Sequence, residues 1–296
     1  MKTTEVVIVG AGPAGLAAAI QLLRYRITPL IFEAVRLGGL LHNANLVENY
    51  PGFPRGIRGP ELVELFIEQA ECTDVQVTHE EVLELSYDEK VFQALTPVDI
   101  YQSRVAVIAS GTQPRLLTDI EIPDDLQDRV YYEVYPLLDI ENKHVVIIGA
   151  GDAAFDYALN LSSENDVVIL NRGQEHSCLP LLWERAVQSK RISYRTQVVV
   201  RRLTEQPGGS MALECLTPHG LELIPADYLI GAIGREPRLG FITPALLAQS
   251  QELSERGIFH IIGDVKNGSY RQTAIAVGEG ILAAMKIHRY LKETGS

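Results

Sequence analysis

The chain is poor in cysteine. Its 296 residues hold three, Cys72, Cys178 and Cys215, and no two of them stand at C-x-x-C spacing. A redox dithiol needs one thiolate to attack and a neighbouring thiol to resolve, so that local device is excluded. No His and Cys residues cluster at zinc-site spacing either. Basic residues are also scarce: 26 Lys and Arg face 38 Asp and Glu, a formal net charge of −12. Nucleic-acid binding rests on neutralising phosphates, so it is excluded as a general activity. The same charge disfavours long-range attraction to an acidic protein. The one basic cluster, Lys190, Arg191, Arg195, Arg201 and Arg202, reads as an ordinary solvated face. No apolar run approaches the roughly 20 residues of a membrane-spanning helix, so no membrane association is expected. Met1 to Glu5 lead straight into an apolar strand with no room for a signal peptide, so the expected location is the cytoplasm.

What the chain has is glycine in two places that matter. Gly10-Ala11-Gly12-Pro13-Ala14-Gly15 follows the apolar run Val6–Val9, and Gly149-Ala150-Gly151-Asp152-Ala153-Ala154 follows Val145–Ile148. Each reads as strand, tight turn and helix start. That geometry aims backbone N–H groups and a helix N-terminus at a pyrophosphate. Two such loops imply two nucleotide sites, and two nucleotide cofactors in one chain imply electron transfer. The first unit continues as a helix over 13–24 and a strand over 29–33. Glu33, about 20 residues beyond the loop, is placed to accept the hydroxyls of a ribose.

The rest of the pattern predicts a helix over 60–72 and strands at 75–78, 81–87, 91–95 and 104–108, read as a meander over the sheet. A connector rich in Pro and Asp covers 114–143. The second unit adds a strand at 167–171, a helix at 179–189, strands at 192–205, 211–217 and 221–224, and an apolar strand at 228–233. Leu239–Thr243 reads as a return crossing. A strand at 258–262 and a helix at 272–292 then complete the first domain. The expected fold class is α/β, with two Rossmann-like three-layer dinucleotide-binding domains. The first covers 1–113 and 243–296, and the second, 114–242, is inserted into it.

Five stretches occur in an order that resembles the thioredoxin-reductase-like flavoproteins, a two-domain branch of the pyridine-nucleotide disulfide oxidoreductases. They are Gly10–Gly15, Val47–Pro54, Ser110–Pro114, Gly149–Ala154 and Gly263–Ala274. The resemblance implies an FAD-dependent, homodimeric oxidoreductase. It places the FAD pyrophosphate on Gly10, Gly12, Pro13, Ala14 and Gly15, and the ribose on Glu33. Gly39, Leu40 and Asn49 would lie beside the flavin. Asp264 would bond the ribityl chain, and Arg271, Gln272 and Thr273 would face the ring. Ala34, Val82, Ala109, Ser110 and Gly111 complete the implied cofactor contacts. In the second unit, Gly149, Gly151, Asp152, Ala153, Ala154, Asn171 and Arg172 would hold NADPH or NADH.

Departures from the family pattern carry as much information. Disulfide reductases of this type have C-x-x-C before the second glycine loop. Here Glu133 and Pro136 stand about where the thiols would be. That stretch is similar to the ferredoxin/flavodoxin–NADP reductase branch, in which the flavin itself hands on the electrons and no catalytic side chain is required. A ferredoxin or flavodoxin is the partner this implies, although the acidic net charge counts against a strongly acidic one. The His-Arg-Arg that clamps a 2′-phosphate in NADP-using members is replaced by Asn171-Arg172-Gly173. The second site is therefore open to NADPH, NADH or a second FAD. Two alternatives stand beside the enzyme: a flavoprotein independent of pyridine nucleotides, and a redox-sensing binding module without turnover.

Overall fold

The computed structural model describes residues 2–88, 90–206 and 210–295. The chain divides into two compact units. One takes the residues up to His42, Leu46–Gln113 and those from Glu236 onward; the other takes Asn43–Asn45 and Pro114–Arg235. The α-helices among the described residues are α1 (Pro13–Arg24), α2 (Gly59–Cys72), α3 (Asp152–Leu161), α4 (Pro180–Gln188), α5 (Pro244–Glu255) and α6 (Thr273–Thr294).

The first unit is built on one sheet. Lys2–Val9 lies at its centre, parallel to Leu30–Phe32 on one side and to Ile100–Ile108 on the other. Val77–Thr78 extends the parallel sheet beyond Leu30–Phe32. It is thus an edge strand of the main sheet, not part of the meander expected from the pattern. The meander is Glu84–Tyr87, Phe92–Leu95 and the first half of Ile100–Ile108, joined antiparallel. The second half of that long strand pairs with Phe259–Ile261. Alternation along Lys2–Val9 divides its apolar residues between two cores. Val6 and Ile8 join a core with α1 and α6, and Val7 and Val9 join one with Phe92 and Phe259. Burying each such side chain contributes about 1.5–3 kcal/mol relative to leaving it exposed.

Helices α1 and α6 touch through small residues. Ala14, Ala18 and Ala19 meet Ala276, Ala283 and Ala284 in one buried cluster. A β-carbon at Gly280 would collide with the Ala14 carbonyl oxygen, so glycine there sets the helix separation.

The second unit has a five-stranded sheet whose strands, from one edge, are Ile192–Arg195, Asp166–Leu170, His144–Ile148, Tyr228–Gly231 and Val130–Tyr131. All its pairings are parallel. A separate antiparallel sheet holds Val199–Gln206, Ser210–Thr217 and Gly220–Ala226. The strand expected over 192–205 is therefore two strands in two sheets. The break falls at Gln197, whose φ of 56° turns the chain. The return crossing also comes earlier than expected. Arg235–Pro237 pairs with Thr112–Pro114 as a two-stranded sheet, and the chain re-enters the first unit at Glu236 instead of 243.

Candidate functional site

In the first unit the glycine loop closes tightly. Gly10 has a φ of +104°, and a β-carbon on it would meet the Ala109 carbonyl oxygen. One on Gly15 would meet the Gly10 carbonyl oxygen, whereas one on Gly12 would meet nothing within 4 Å. Gly10 and Gly15 thus pack the turn against its neighbours, and Gly12 fronts open space. Gly12 is the N-cap of α1 and Pro13 its first residue, with no side-chain cap bond. The first N–H groups of α1 are therefore not capped by a side chain of Gly12, the condition for binding an anion there.

Glu33 stands at the end of Leu30–Phe32. Its Oε2 accepts the Ala11 N–H at 2.8 Å and its Oε1 the Val35 N–H at 3.0 Å. Each carboxylate oxygen keeps a lone pair for a further donor, as a sugar hydroxyl would be. Beside it opens a cleft of about 290 Å³ lined by Gly10, Glu33, Ala34, Val82 and Ser110 among others. Arg238 and Glu81, also in its wall, form an ion pair of 2.9 Å. Ser110 does not offer its hydroxyl proton to the cleft: Oγ donates to the Arg238 carbonyl at 2.6 Å. Ala109 donates its N–H to Val9, and Gly111 accepts the Arg238 N–H.

The Gly38–Gly39 turn is stitched to the glycine loop by the Gly38 N–H on the Ala11 carbonyl at 2.9 Å, and Leu40 follows in a short 3₁₀ turn. Asn49 and Gln272, far apart in sequence, are brought together: Asn49 Nδ2 donates to Gln272 Oε1 at 2.7 Å. Gln272 is the N-cap of α6, and Thr273 its first residue. Arg271 precedes them, half-buried. Asp264 lies in the 3₁₀ turn Gly263–Val265. Gly263 has a φ of +76°, and a β-carbon on it would come within 2.9 Å of Ala14 Cβ.

In the second unit the loop repeats the first in outline. Gly151 is the N-cap of α3 and Asp152 opens the helix. A β-carbon at Gly149 would come within 2.5 Å of the Ala232 carbonyl oxygen. Ala154 is buried against the sheet, and Ala153 is exposed. Here, however, the chain folds back over its own loop. Ser177 donates its N–H to the Ala150 carbonyl, and Leu179 donates its N–H to Asp152 Oδ1 at 2.7 Å. Asn171 serves this fold-back. Its Nδ2 donates to the Glu175 carbonyl and to the Tyr194 hydroxyl, both at 2.8 Å, and its Oδ1 accepts the Gly173 N–H at 2.8 Å. Both amide protons are consumed, and the side chain is buried. Arg172, two residues beyond the end of Asp166–Leu170, is exposed. The nearby Arg195 is held by Glu222 in a two-pronged pair of 2.9 and 2.6 Å.

At the position expected for thiols, Glu133 Oε1 pairs with Arg235 Nη2 at 3.1 Å, and Glu133 Oε2 accepts from Asn43 Nδ2 at 3.3 Å. Asn43 is buried, and its Oδ1 accepts the Tyr135 N–H. Close by on α3, burial pushes the Asp156 carboxyl up to about 6 and the Tyr157 hydroxyl up to about 12. Cys178 is buried with its sulfur 3.3 Å from His176 Nδ1, and burial raises its thiol, the opposite of an activated thiolate. Among the described residues no three His, Cys, Asp or Glu gather to hold a metal ion, and no helix is long and apolar enough to cross a membrane.

Residues 4–280 match the family described as pyridine nucleotide-disulphide oxidoreductase. The chain belongs to that family. It is 30% identical over 309 residues to the bifunctional thioredoxin reductase/thioredoxin of Mycobacterium leprae, covering 98% of this chain and 66% of that protein. The chain thus spans just under two thirds of that relative's length. It is 27% identical to the thioredoxin reductase of Mycolicibacterium smegmatis, covering 98% of this chain and 97% of the relative. Lactococcus lactis thioredoxin reductase in the FR conformation superposes with a TM-score of 0.85 at 25% identity, over 98% of this chain and 99% of that one.

The α/β fold with two Rossmann-like domains follows from these matches. Within this oxidoreductase, three residues absent from the expected site lie against the candidate-site segments. Ser177 stands over the second glycine loop. Arg238 lines the cleft beside Glu33. Glu279 of α6 accepts the Gly263 N–H at 2.6 Å. None of the three carries a motif; an acid seven residues past Gln272 was the available signal for Glu279.

Proposed function

We propose that this oxidoreductase binds FAD in its first unit and passes electrons between a pyridine nucleotide and an external acceptor, with no disulfide beside the flavin. The observation that carries it is the pairing of an N-cap glycine, Gly12, facing open space with Glu33 held on the Ala11 N–H. A diphosphate needs the first and a ribose the second. The fit extends to Asn49, Gln272 and Asp264, the polar groups proposed to meet the flavin and ribityl chain. Bound FAD supplies the hydride and electron chemistry. The chain's part is to bind and orient: α1 supplies N–H donors, Glu33 supplies acceptors, and the Asn49–Gln272 amides fix polar groups at the opening of α6.

In the second unit the proposed ligand is a dinucleotide without a 2′-phosphate, NADH rather than NADPH. Asn171 is bonded to its own loop, and Arg195 is neutralised by Glu222. That leaves Arg172 to face a dianion for which paired arginines are the usual answer. The fold-back of Ser177 and Leu179 over the loop favours a second reading, a flavoprotein that uses no nicotinamide.

For the acceptor, the relatives named thioredoxin reductase point to a dithiol protein. Glu133 and Pro136 can supply no thiol, and the Glu133–Arg235 pair fills that place with a charge-neutral contact. We therefore favour a one- or two-electron carrier of the ferredoxin or flavodoxin kind, in the cytoplasm, served by a homodimer. The decisive experiment releases the nucleotides by denaturation, identifies them, and titrates the flavin anaerobically with NADH and NADPH. One FAD per chain, bleached by NADH at lower concentration than by NADPH, is expected. Failure of both to bleach it selects the second reading, and two FAD per chain or none overturns the ligand assignment.

A further inference from the structure

The Gly263–Val265 turn precedes Lys266 and Asn267 in a short stretch that packs beside α6. It spans three residues, and within it the Lys266 N–H reaches the Gly263 carbonyl at 3.2 Å. Helix α6 adds a clamp to it. Glu279 Oε2 accepts the Gly263 N–H at 2.6 Å and Asn267 Nδ2 at 3.0 Å, and Glu279 Oε1 stands 3.1 Å from Lys266 Nζ. One carboxylate thus gathers a main-chain donor, an amide and an ammonium from the stretch 263–267. Its side chain is 20% exposed, so water competes weakly for these bonds. Bonds to a charged acceptor are shorter and stronger than neutral ones. On its other side the turn abuts α1, where Gly263 packs on Ala14 Cβ. The turn that carries Asp264 is thus bounded by Ala14 at Gly263 and clamped by Glu279 at Gly263, Lys266 and Asn267.

We propose that Glu279 is the positioning residue for Asp264: its carboxylate fixes the 263–267 turn and so sets the place from which Asp264 meets the ribityl chain of FAD. This rests on the reading of the first unit as an FAD site. Groups that touch a ligand need support to within about 0.5 Å, and losing such support commonly costs about 10- to 100-fold in affinity. Glu279 does not touch the cofactor in this scheme; it acts through Asp264.

The test is a double-mutant cycle on the full chain, read as FAD affinity of the apoprotein by flavin fluorescence, with apoprotein melting followed in parallel. Glu279→Ala is expected to weaken FAD about tenfold or more. Glu279→Gln keeps an oxygen for the Gly263 N–H and is expected to stay within about threefold. Asp264→Ala weakens FAD, and adding Glu279→Ala to it costs nothing further, because both act through one group. Additive losses, or wild-type affinity in Glu279→Ala, would overturn the proposal. Should Glu279→Ala fail to fold, Glu279→Asp withdraws the carboxylate by one methylene while keeping its charge; unchanged FAD affinity there overturns it equally. A wild-type chain that binds no FAD sinks the FAD reading itself, a different result from a wild type that binds with an additive cycle.

Discussion

Asn49 Nδ2 donates to Gln272 Oε1 at 2.7 Å across a sequence separation of 223 residues. The bond joins the loop closed by the Val47–Ile57 backbone pair to the first turn of α6, where the Gln272 carbonyl accepts the Ala276 N–H. Both side chains are exposed, and a hydrogen bond in water contributes only about 0.5–1.5 kcal/mol to stability. Its value lies in fixing two amides relative to each other. Asn49→Ala and Gln272→Ala are therefore expected to leave the melting midpoint nearly unchanged while shifting the flavin absorption bands or the flavin potential. A large fall in melting with an unaltered flavin would make the bond purely structural.

Gly12 and Gly15 separate fold from ligand. A β-carbon at Gly15 meets the Gly10 carbonyl, a backbone atom that cannot give way, whereas one at Gly12 enters open space. Gly15→Ala is expected to cost about 3 kcal/mol, the upper end of what overpacking a tight junction typically costs. Gly12→Val is expected to fold with wild-type circular dichroism and lose most of its FAD. Chemical denaturation and the flavin-to-protein absorbance ratio read the two effects. A Gly12→Val protein that retains full FAD would remove the pyrophosphate from this loop.

Electron counting tests the missing thiol pair. The three cysteines are free, with Cys178 and Cys215 buried and burial raising both thiols, Cys215 to about 11. A flavin next to a disulfide takes up four electrons, and a flavin alone takes two. Anaerobic dithionite titration is expected to end at two electrons per flavin, with the same count of free thiols before and after. An end point of four electrons would reinstate a redox disulfide.

The elements with strong local signals were legible. The glycine loops, the helix after each, and the apolar strands at 145–148 and 228–233 each satisfy propensity and burial at once. Helix α5 was not foreseen, because only Leu246 and Leu253 are buried and the apolar stripe is thin. The signal lay at its start: Thr243 caps the Leu246 N–H and Pro244 takes the first position. Within the site, the place of Glu33 was legible from spacing, and the fold sets its carboxylate on the Ala11 N–H of the glycine loop, where the proposed ribose would lie. Glu279 and Ser177 were not, since their roles arise from contacts between segments that no local pattern encodes. Asn171 reads as a ligand from its match to the first position of the family's His-Arg-Arg clamp, and only the folded loop reveals that its amide is spent on Gly173, Glu175 and Tyr194.

Helix α6 turns one face to α1 and presents the other to solvent. Ile275, Ile281, Leu282 and Met285 are all exposed there, with Gly278 on the same side. Such a stripe at helical spacing is the kind of surface an oligomer covers. The proposed homodimer is expected to use it. Leu282→Glu with Met285→Glu should elute at monomer mass in sizing chromatography at micromolar concentration, where the wild type elutes as a dimer. A double variant that stays dimeric assigns the interface elsewhere.

Asp156 gives the chain a pH dependence whose sign follows from its burial. Burial is the main cause of its rise from 3.8 to about 6, the Asn45 N–H pulls it back, Asp152 raises it further and Arg185 lowers it. The folded value lies above the unfolded one, so the folded chain holds this proton more tightly. The ionised carboxylate therefore lowers stability above about pH 6, and the cost fades as the pH falls toward 4. Fully expressed, it amounts to about 3 kcal/mol, at about 1.4 kcal/mol for each pH unit between the two values. Asp156→Asn keeps an oxygen for the Asn45 N–H and removes the charge. The variant is expected to be more stable than the wild type by about 1–3 kcal/mol at pH 8, with most of the gain gone at pH 4.5. Urea denaturation of both proteins at the two pH values measures it. An equal gain at both pH values would mean that packing, not the charge, separates them.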